Sequence, residues 1–378
     1  MRMIPVSEPD LGDAEMQRVV AALQSGQVSS AGSDVEVFEQ LWAAYCGRQF
    51  GVAVMNGTVA LQLAVACLDL EPGDEVIMPT FTIVSCALAV IYCGGVPRFV
   101  DADPVTWCMD TDAVRAAIGP RTRAIMPVHI YGHPVDMDPL LDLAAEHGLA
   151  VVEDAAEAHG AEYLTRRSGV DRWQRCGSFG DVSCFSFYAN KLVTTGEGGM
   201  LVTDDPALAN RARSLRNLAF DPAQRFRHER LGFNFRMTNL QAALGIPQVG
   251  RMAAIVEKKR SIARSYQAGL RGLAQVALPQ ERAWARSVYW MYGIVPDESS
   301  GLDGKKLAGL LAQRGVQTRP FFLGLHEQPA LERCEWATRA HFPVAERLAR
   351  QGLYLPSGPR LGAEAIEQVI EAVKAVLQ

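Results

Sequence analysis

Lys191 follows the apolar run Cys184-Phe-Ser-Phe-Tyr-Ala-Asn and opens into Leu-Val-Thr-Thr-Gly-Glu-Gly-Gly before a second apolar run, Met200-Leu-Val-Thr203. A lysine at the rim of a buried strand loses hydration. Desolvation lowers its pKa toward neutrality, and a neutral amine forms an imine with an aldehyde. On its own the pattern also fits a solvated lysine in a Gly-rich turn. Residues upstream bear on the choice. Asn56-Gly57-Thr58 precedes a nearly all-apolar helical stretch, and Glu153-Asp154 closes a buried strand with Glu157 three residues further on.

Pyridoxal phosphate makes three demands that these residues meet in chain order. Its phosphate needs free N–H groups at a helix start with small residues in front, as Gly57 and Thr58 offer. The ring nitrogen needs a buried carboxylate to keep it protonated while a carbanion forms, and Asp154 fits. Glu157 reaches the ring hydroxyl if the turn after Asp154 is helical. The aldehyde needs Lys191, and the Ser186 hydroxyl is a further donor to the phosphate. Each signal has a plainer reading: an Asn or Thr cap for residues 56–58, and helix capping for Glu153-Asp154.

The elements that must hold these groups alternate as short apolar runs and helical patterns between Asn56 and Met200, which implies a layered α/β domain. A helix is expected over Val59–Leu68, ending at the turn Glu71-Pro-Gly-Asp74, with strands at Val76–Met78 and Ala124–His129. Asp138 reads as an N-cap with Pro139 at N1, starting a helix through His147 that Gly148 closes. Leu149–Glu153 resumes as a strand, and both Asp154 and Lys191 fall at carboxyl edges, where doubly wound sheets bind ligands. Met252–Leu273 reads as a long helix joining a large domain (1–250) to a smaller C-terminal one (251–378). Val288–Val295 is expected as a strand, Lys305–Arg314 as a helix, Gly315–Phe322 as strand-like and Ala363–Leu377 as an amphipathic helix.

Bulk properties narrow the partners. The 378 residues carry a formal charge of −5, with 49% hydrophobic and 21% charged residues. That balance excludes a disordered chain and argues against nucleic acid. The one basic cluster, Arg225–Arg230, reads as a solvated loop or a local anion site. Eight cysteines lack any CxxC pair, so neither a zinc nor a disulfide framework is expected, and no metal site is expected at all. Residues 1–9 show no apolar h-region, so no signal peptide is expected, and the longest apolar run, 81–93, falls short of the roughly 20 residues that span a bilayer. A cytoplasmic protein is expected. His129 and His159 read as structural, and Trp107, Trp173, Trp284 and Trp336 as core or interface.

Further motifs extend the pattern: Asn56–Leu61, Pro72–Ile77, Val128–Gly132, Glu153–Ala158, Phe185-Ser-Phe187, Asn190-Lys191, Thr194–Gly199 and Gly232–Asn239. With these motifs the chain resembles the DegT-type sugar aminotransferases, pyridoxal-phosphate enzymes of fold type I, over nearly its whole length. The resemblance implies an aspartate-aminotransferase-like large α/β/α domain around a mixed sheet, with a smaller α/β domain. It implies Lys191 as the cofactor's covalent anchor, Asp154 as the ring-nitrogen partner and Glu157 at the ring hydroxyl. Thr58 and Ser186 would hold the phosphate, and Asn234 would reach the phosphate of a neighbouring subunit in a homodimer with shared active sites. Residues 187–191 and 236–239 look most like the branch that aminates C4 of GDP-4-keto-6-deoxymannose with glutamate. Arg319-Pro-Phe-Phe322 and His326 resemble the border of the sugar pocket there. Ile83 stands where relatives often carry an aromatic ring over the cofactor, with Phe81 close by. The Ser29–Gly32 loop lacks a preceding Trp, and 166–175 reads as an insertion.

Rival readings are a dehydratase on the same fold, an amino transfer to another nucleotide-linked keto-sugar at C3 or C4, and a non-catalytic binding protein. Dehydratases of this kind carry His in place of the lysine, and a non-catalytic relative would lose Lys191 or Asp154. A nicotinamide enzyme is excluded because Gly196–Gly199 is not GxGxxG.

Overall fold

The computed structural model of the chain describes residues 3–221, 223–224, 226–334 and 340–377. Helices α1 (Asp13–Gln24) and α2 (Ser33–Cys46) precede β1 (Phe50–Val54), α3 (Gly57–Ala66), β2 (Glu75–Pro79), α4 (Ser85–Ile91) and β3 (Val96–Val100). Next come α5 (Thr111–Ala117), β4 (Thr122–Ile125), α6 (Met137–His147), β5 (Ala150–Asp154), β6 (Glu162–Thr165) and β7 (Arg172–Arg175). They lead to β8 (Val182–Ser186), β9 (Gly199–Thr203), α7 (Pro206–Arg216), α8 (Asn239–Gly250) and α9 (Met252–Leu270). The remainder holds β10 (Val276–Ala277), β11 (Ala285–Arg286), β12 (Tyr292–Pro296), α10 (Gly304–Gln313), β13 (Arg319–Pro320), α11 (Pro343–Gln351), β14 (Leu353–Leu355) and α12 (Ala363–Leu377).

Seven strands form one sheet in the order β1-β9-β8-β5-β4-β2-β3. β8, β5, β4, β2 and β3 run parallel, and β9 is antiparallel to both its neighbours. Both faces are covered, which is why β2 and β9 read as continuous apolar runs and are buried throughout. Along β8 the side chains alternate between two apolar layers: Cys184 packs with Leu61, Leu63 and Leu201, while Phe185 packs with Phe38 and Trp42. The Trp42 indole meets the Phe185 and Phe187 rings edge-on at 5.1 and 5.0 Å. A third apolar cluster, Ile262–Leu377, gathers α9, α10 and α12 around the antiparallel sheet β10-β12-β14-β13.

Several expected boundaries shift for local reasons. The strand expected to run to His129 stops at Ile125, because Pro127 has no N–H to give and only its carbonyl pairs, accepting from Asp154 N at 2.9 Å. Asp136, not Asp138, is the N-cap of α6; the Asp138 carboxylate instead accepts from Thr165 Oγ1 at 2.6 Å and Arg166 N at 2.7 Å. It thereby ties down the hairpin β6–β7, the segment read as an insertion. The stretch 288–291 is not strand: Tyr289 takes φ 47°, and β12 begins at Tyr292. Helix α9 ends at Leu270, with Gly272 at φ 87° just beyond. Trp107 is buried against Phe321, Trp284 packs on Tyr163, and Arg286 lies 3.9 Å over Trp173. Trp336 and Arg225 lie outside the described residues. No helix among the described residues is long and apolar enough to cross a membrane.

The carboxyl end of β5 is fastened by Glu153, which is fully buried. Its oxygens accept from His129 Nε2 at 2.8 Å, Ser183 Oγ at 2.7 Å, the N–H groups of Phe179 and Gly180 at 3.0 and 3.2 Å, and Gly177 N–H. Val135 N–H donates to His129 Nδ1 at 2.9 Å, so Nε2 carries the ring proton. Burial pushes the carboxyl up, but the bonds from His129, Gly177 and Ser183 overcome it and hold Glu153 down at about 2. With its folded pKa below its unfolded one, Glu153 stabilises the fold above pH about 4.5 and loses that contribution as pH falls toward 2. Glu153→Ala strands all these buried donors, and its unfolding free energy in urea should fall by about 3–5 kcal/mol at neutral pH.

Candidate active site

Three chain ends meet beside this joint. After β8, the chain turns so that Lys191 N donates to Tyr188 O at 2.9 Å. Lys191 therefore sits in the turn beyond the strand, which ends five residues earlier at Ser186. Its side chain is nine-tenths buried, with Nζ 3.8 Å from Glu157 Oε1 and 3.6 Å from the centre of the Trp290 ring. The Trp290 indole N–H donates to Asn190 O at 2.8 Å, so one ring supports the amine and pins its neighbour's backbone. Trp290 falls within the expected strand Val288–Val295, whose apolar pattern gave no sign of a role at the site.

Both carboxylates lie at the carboxyl end of β5. Asp154 accepts from Ala156 N at 3.0 Å through one oxygen and from the Cys86 thiol at 3.3 Å through the other. Glu157 accepts from Tyr131 N at 2.7 Å. Tyr131 presents that N–H from φ 51°, and Trp290 and Phe322 lie nearly parallel to its ring. Burial lowers the Lys191 amine, opposed by Glu157 and then Asp154. Burial likewise raises Glu157 against Lys191, and raises Asp154 against its hydrogen bonds from Ala156 and Cys86. An amine held toward neutrality beside acids held toward protonation is an arrangement for moving protons.

At the other end, Asn56 caps α3 by accepting from Val59 N at 3.0 Å, which leaves Gly57 as the first helical residue. A Cβ at Gly57 would lie 2.6 Å from Ser186 Cβ, and one at Gly199 would lie 2.3 Å from Asn56 O. Two glycines thus let the helix start and the end of β8 close together, with Thr58 Oγ1 hydrogen-bonded to Ser85 Oγ at 2.8 Å. These residues fit pyridoxal phosphate. The Gly57 and Thr58 N–H groups, which the Asn56 cap does not engage, and the Ser186 hydroxyl suit a dianion, and one Asp154 oxygen has only a weak thiol donor, leaving it able to accept from a ring N–H.

Among the described residues, no hydrogen bond or ion pair joins Asn234, Arg319 or His326 to Lys191, Asp154 or Glu157. Asn234 is exposed, bridged to Asn217 through the backbone. Arg319 is exposed on β13, opposite Tyr354. His326 is largely buried: its Nδ1 lies 2.7 Å from Thr80 Oγ1 and its Nε2 3.4 Å from Glu346. Ile83 is exposed, while Phe81 is buried among Tyr131, Phe321 and Phe322. His159 packs its ring against Trp42 and Phe185. His129, Glu153 and Cys176 bring donor atoms within 4.8 Å of one another, but the carboxylate and both ring nitrogens are already engaged in hydrogen bonds. That cluster is a structural joint.

Fold and site together define a pyridoxal-phosphate-dependent aminotransferase of fold type I. The chain belongs to the DegT/DnrJ/EryC1/StrS aminotransferase family, whose profile matches residues 9–374. It is 39% identical over 375 residues to a GDP-perosamine synthase of Caulobacter vibrioides, covering 99% of this chain and 98% of that one. It is also 39% identical over 364 residues to a dTDP-3-amino-3,4,6-trideoxy-alpha-D-glucose transaminase of Streptomyces venezuelae, covering 96% and 91%. The crystal structure of S. venezuelae DesV in complex with a ketimine intermediate superposes with a TM-score of 0.90 at 35% identity, covering 100% and 99%.

The close approach at the helix start can be probed directly. Gly57→Ala forces α3 and Ser186 apart, so pyridoxal phosphate should bind the apo-protein about tenfold more weakly by fluorescence titration. Unchanged affinity would remove this helix start from the phosphate site.

Proposed function

We propose that the enzyme transfers the amino group of L-glutamate to C4 of GDP-4-keto-6-deoxymannose, giving GDP-perosamine and 2-oxoglutarate. The observation that carries amino transfer is Lys191, almost fully desolvated, facing Glu157 and Asp154. Support for the sugar comes from three GDP-perosamine synthases at 36–39% identity over 98–99% of this chain, together with residues 187–191 and 236–239. A second reading, amination of another nucleotide-linked keto-sugar at C3 or C4, has a specific basis: the dTDP-sugar transaminase is equally similar. Dehydration is disfavoured by the lysine.

Pyridoxal phosphate, when bound, supplies an aldehyde for amines and an electron sink for the carbanion at the reacting carbon. Asp154 keeps a proton on the ring nitrogen, and Glu157 accepts from the ring hydroxyl. Gly57, Thr58 and Ser186 hold the phosphate. Lys191 would anchor the aldehyde, and its amine, once freed by the incoming glutamate, would serve as the base that takes the proton from the donor's Cα and the acid that returns it. With the keto-sugar it works in the reverse direction. Arg319 and His326 border the sugar pocket, His326 by shaping it from its seat on Thr80. Asn234 completes the phosphate site of a second copy in a homodimer. The separate core of Ile262–Leu377 supports a division into residues 1–250 and 251–378, and the eight free thiols suit a cytoplasmic setting.

Supplying a panel of nucleotide keto-sugars with glutamate, and identifying the amino product by mass spectrometry and NMR, tests the substrate. GDP-perosamine is the expected product, and a 3-amino sugar would replace that reading with the second. Lys191→Ala should lower turnover by about 10³-fold or more; appreciable transamination by it would sink the assignment. Shared sites are tested by subunit exchange between Lys191→Ala and Asn234→Ala proteins. Mixed dimers contain one site with both native residues, so activity should reappear. A mixture as inactive as its parents argues against Asn234 acting across the interface.

A further inference from the structure

Lys259 on α9 is 3% exposed, yet no acidic side chain pairs with it among the described interactions. Its ammonium donates instead to two backbone carbonyls, Trp290 O at 2.9 Å and Ser357 O. Burial alone holds its amine down at about 7. A cation so placed is costly, and an apolar chain of the same length would fill the space without that cost. What an apolar chain could not do is donate. Residues 288–291 leave the sheet: Val288 N reaches across to Gly132 O at 3.1 Å, Tyr289 N turns to Ser287 Oγ at 3.1 Å, and Tyr289 has φ 47°. Trp290 O therefore lies at a point where no strand pairing supplies a partner, immediately before β12.

We propose that Lys259 is a positioning residue for amino transfer: by gripping Trp290 O it fixes the indole that packs on Lys191 and pins Asn190. Three links make the chain of contact: Lys259 to the Trp290 backbone, the Trp290 indole N–H to Asn190 O at 2.8 Å, and the Trp290 ring to Lys191 Nζ at 3.6 Å. Ser357, the second carbonyl, is itself fastened to the start of β12, where Tyr292 N donates to Ser357 Oγ at 3.4 Å. One ammonium thus locks the segment before β12 to the segment after β14, and the indole inherits that rigidity. The inference rests on the aminotransferase reading, though its first link holds in the cofactor-free protein.

Lys259→Met removes the donors while filling the space, and Lys259→Arg keeps donors. In the cofactor-free protein, the Trp290 indole N–H, assigned in ¹⁵N NMR spectra by its loss in Trp290→Phe, should exchange with solvent faster in Lys259→Met than in wild type. In the holoenzyme, kcat should fall about tenfold to a hundredfold with KM for both substrates unchanged, as expected for a displaced catalytic group. Lys259→Arg should recover most of both. If Lys259→Met fails to fold, Lys259→Leu, which likewise lacks a donor, is read in the same way. Either readout unchanged in a folded variant that lacks the donor overturns the proposal, as does a kcat loss that follows melting temperature while the indole stays protected. The indole measurement involves no substrate, so failure of this link is distinct from failure of the amino-transfer reading.

Discussion

Removing water from one ammonium group is the constraint around which the site is arranged. Lys191 is useful only if its amine can exist without a proton near neutral pH, and burial provides that bias. Burial without nearby acids would also make the protonated form hard to reach, and the chemistry needs both forms. Glu157 and Asp154 resolve the conflict by opposing the desolvation from close range. The same burial raises both acids, so the three groups can exchange charge without any of them being locked in one state. Aromatic walls keep bulk water from levelling these differences: Trp290 lies beneath the amine, and Tyr131 packs between Trp290 and Phe322.

Such a cluster persists only if its backbone is held by something other than itself. Glu153 does this from the buried side of β5, gathering donors from the β4–α6 connection and from the approach to β8. One strand end thus carries two adjacent acids with opposite roles. Glu153 is saturated with hydrogen bonds and held ionised; Asp154 has one backbone N–H donor and one weak thiol donor, with accepting capacity to spare. The difference lies entirely in what surrounds each carboxylate, since the two are neighbours in the chain.

The sequence was most legible where chemistry and periodicity coincide. The runs at Glu75–Pro79, Ala150–Asp154 and Gly199–Thr203 are apolar because both faces of the sheet are covered, and the motif residues hang from their ends. Boundaries were legible only where a local signal governs them. Gly148 closes α6 as expected, but the start of that helix was misplaced because Asp138 is engaged by a hairpin that no local pattern reveals. Trp290 and Lys259 were invisible for a related reason. The first lies in a run of apolar residues that reads as strand, and the second is one basic residue among several on a long helix. Only tertiary packing separates them from their neighbours. His326 was placed at a sugar-pocket border by resemblance alone, and no local pattern reveals that Thr80 and Glu346 hold its ring.

The single reversed strand has a consequence for how the protein matures. β1 touches the sheet only through β9, pairing Val54 with Gly199, while β8 pairs Ser186 with that same glycine. The helix start at Gly57 therefore cannot meet Ser186 until β9 has been synthesised and inserted between two strands that are far apart in the chain. Long-range closure of this kind is slow compared with local helix formation. A ribosome-bound chain lacking β9 would have Asn56–Thr58 but nothing to close it against, and so would not trap the vitamin prematurely. Closure of the phosphate seat thus depends on the central sheet being complete.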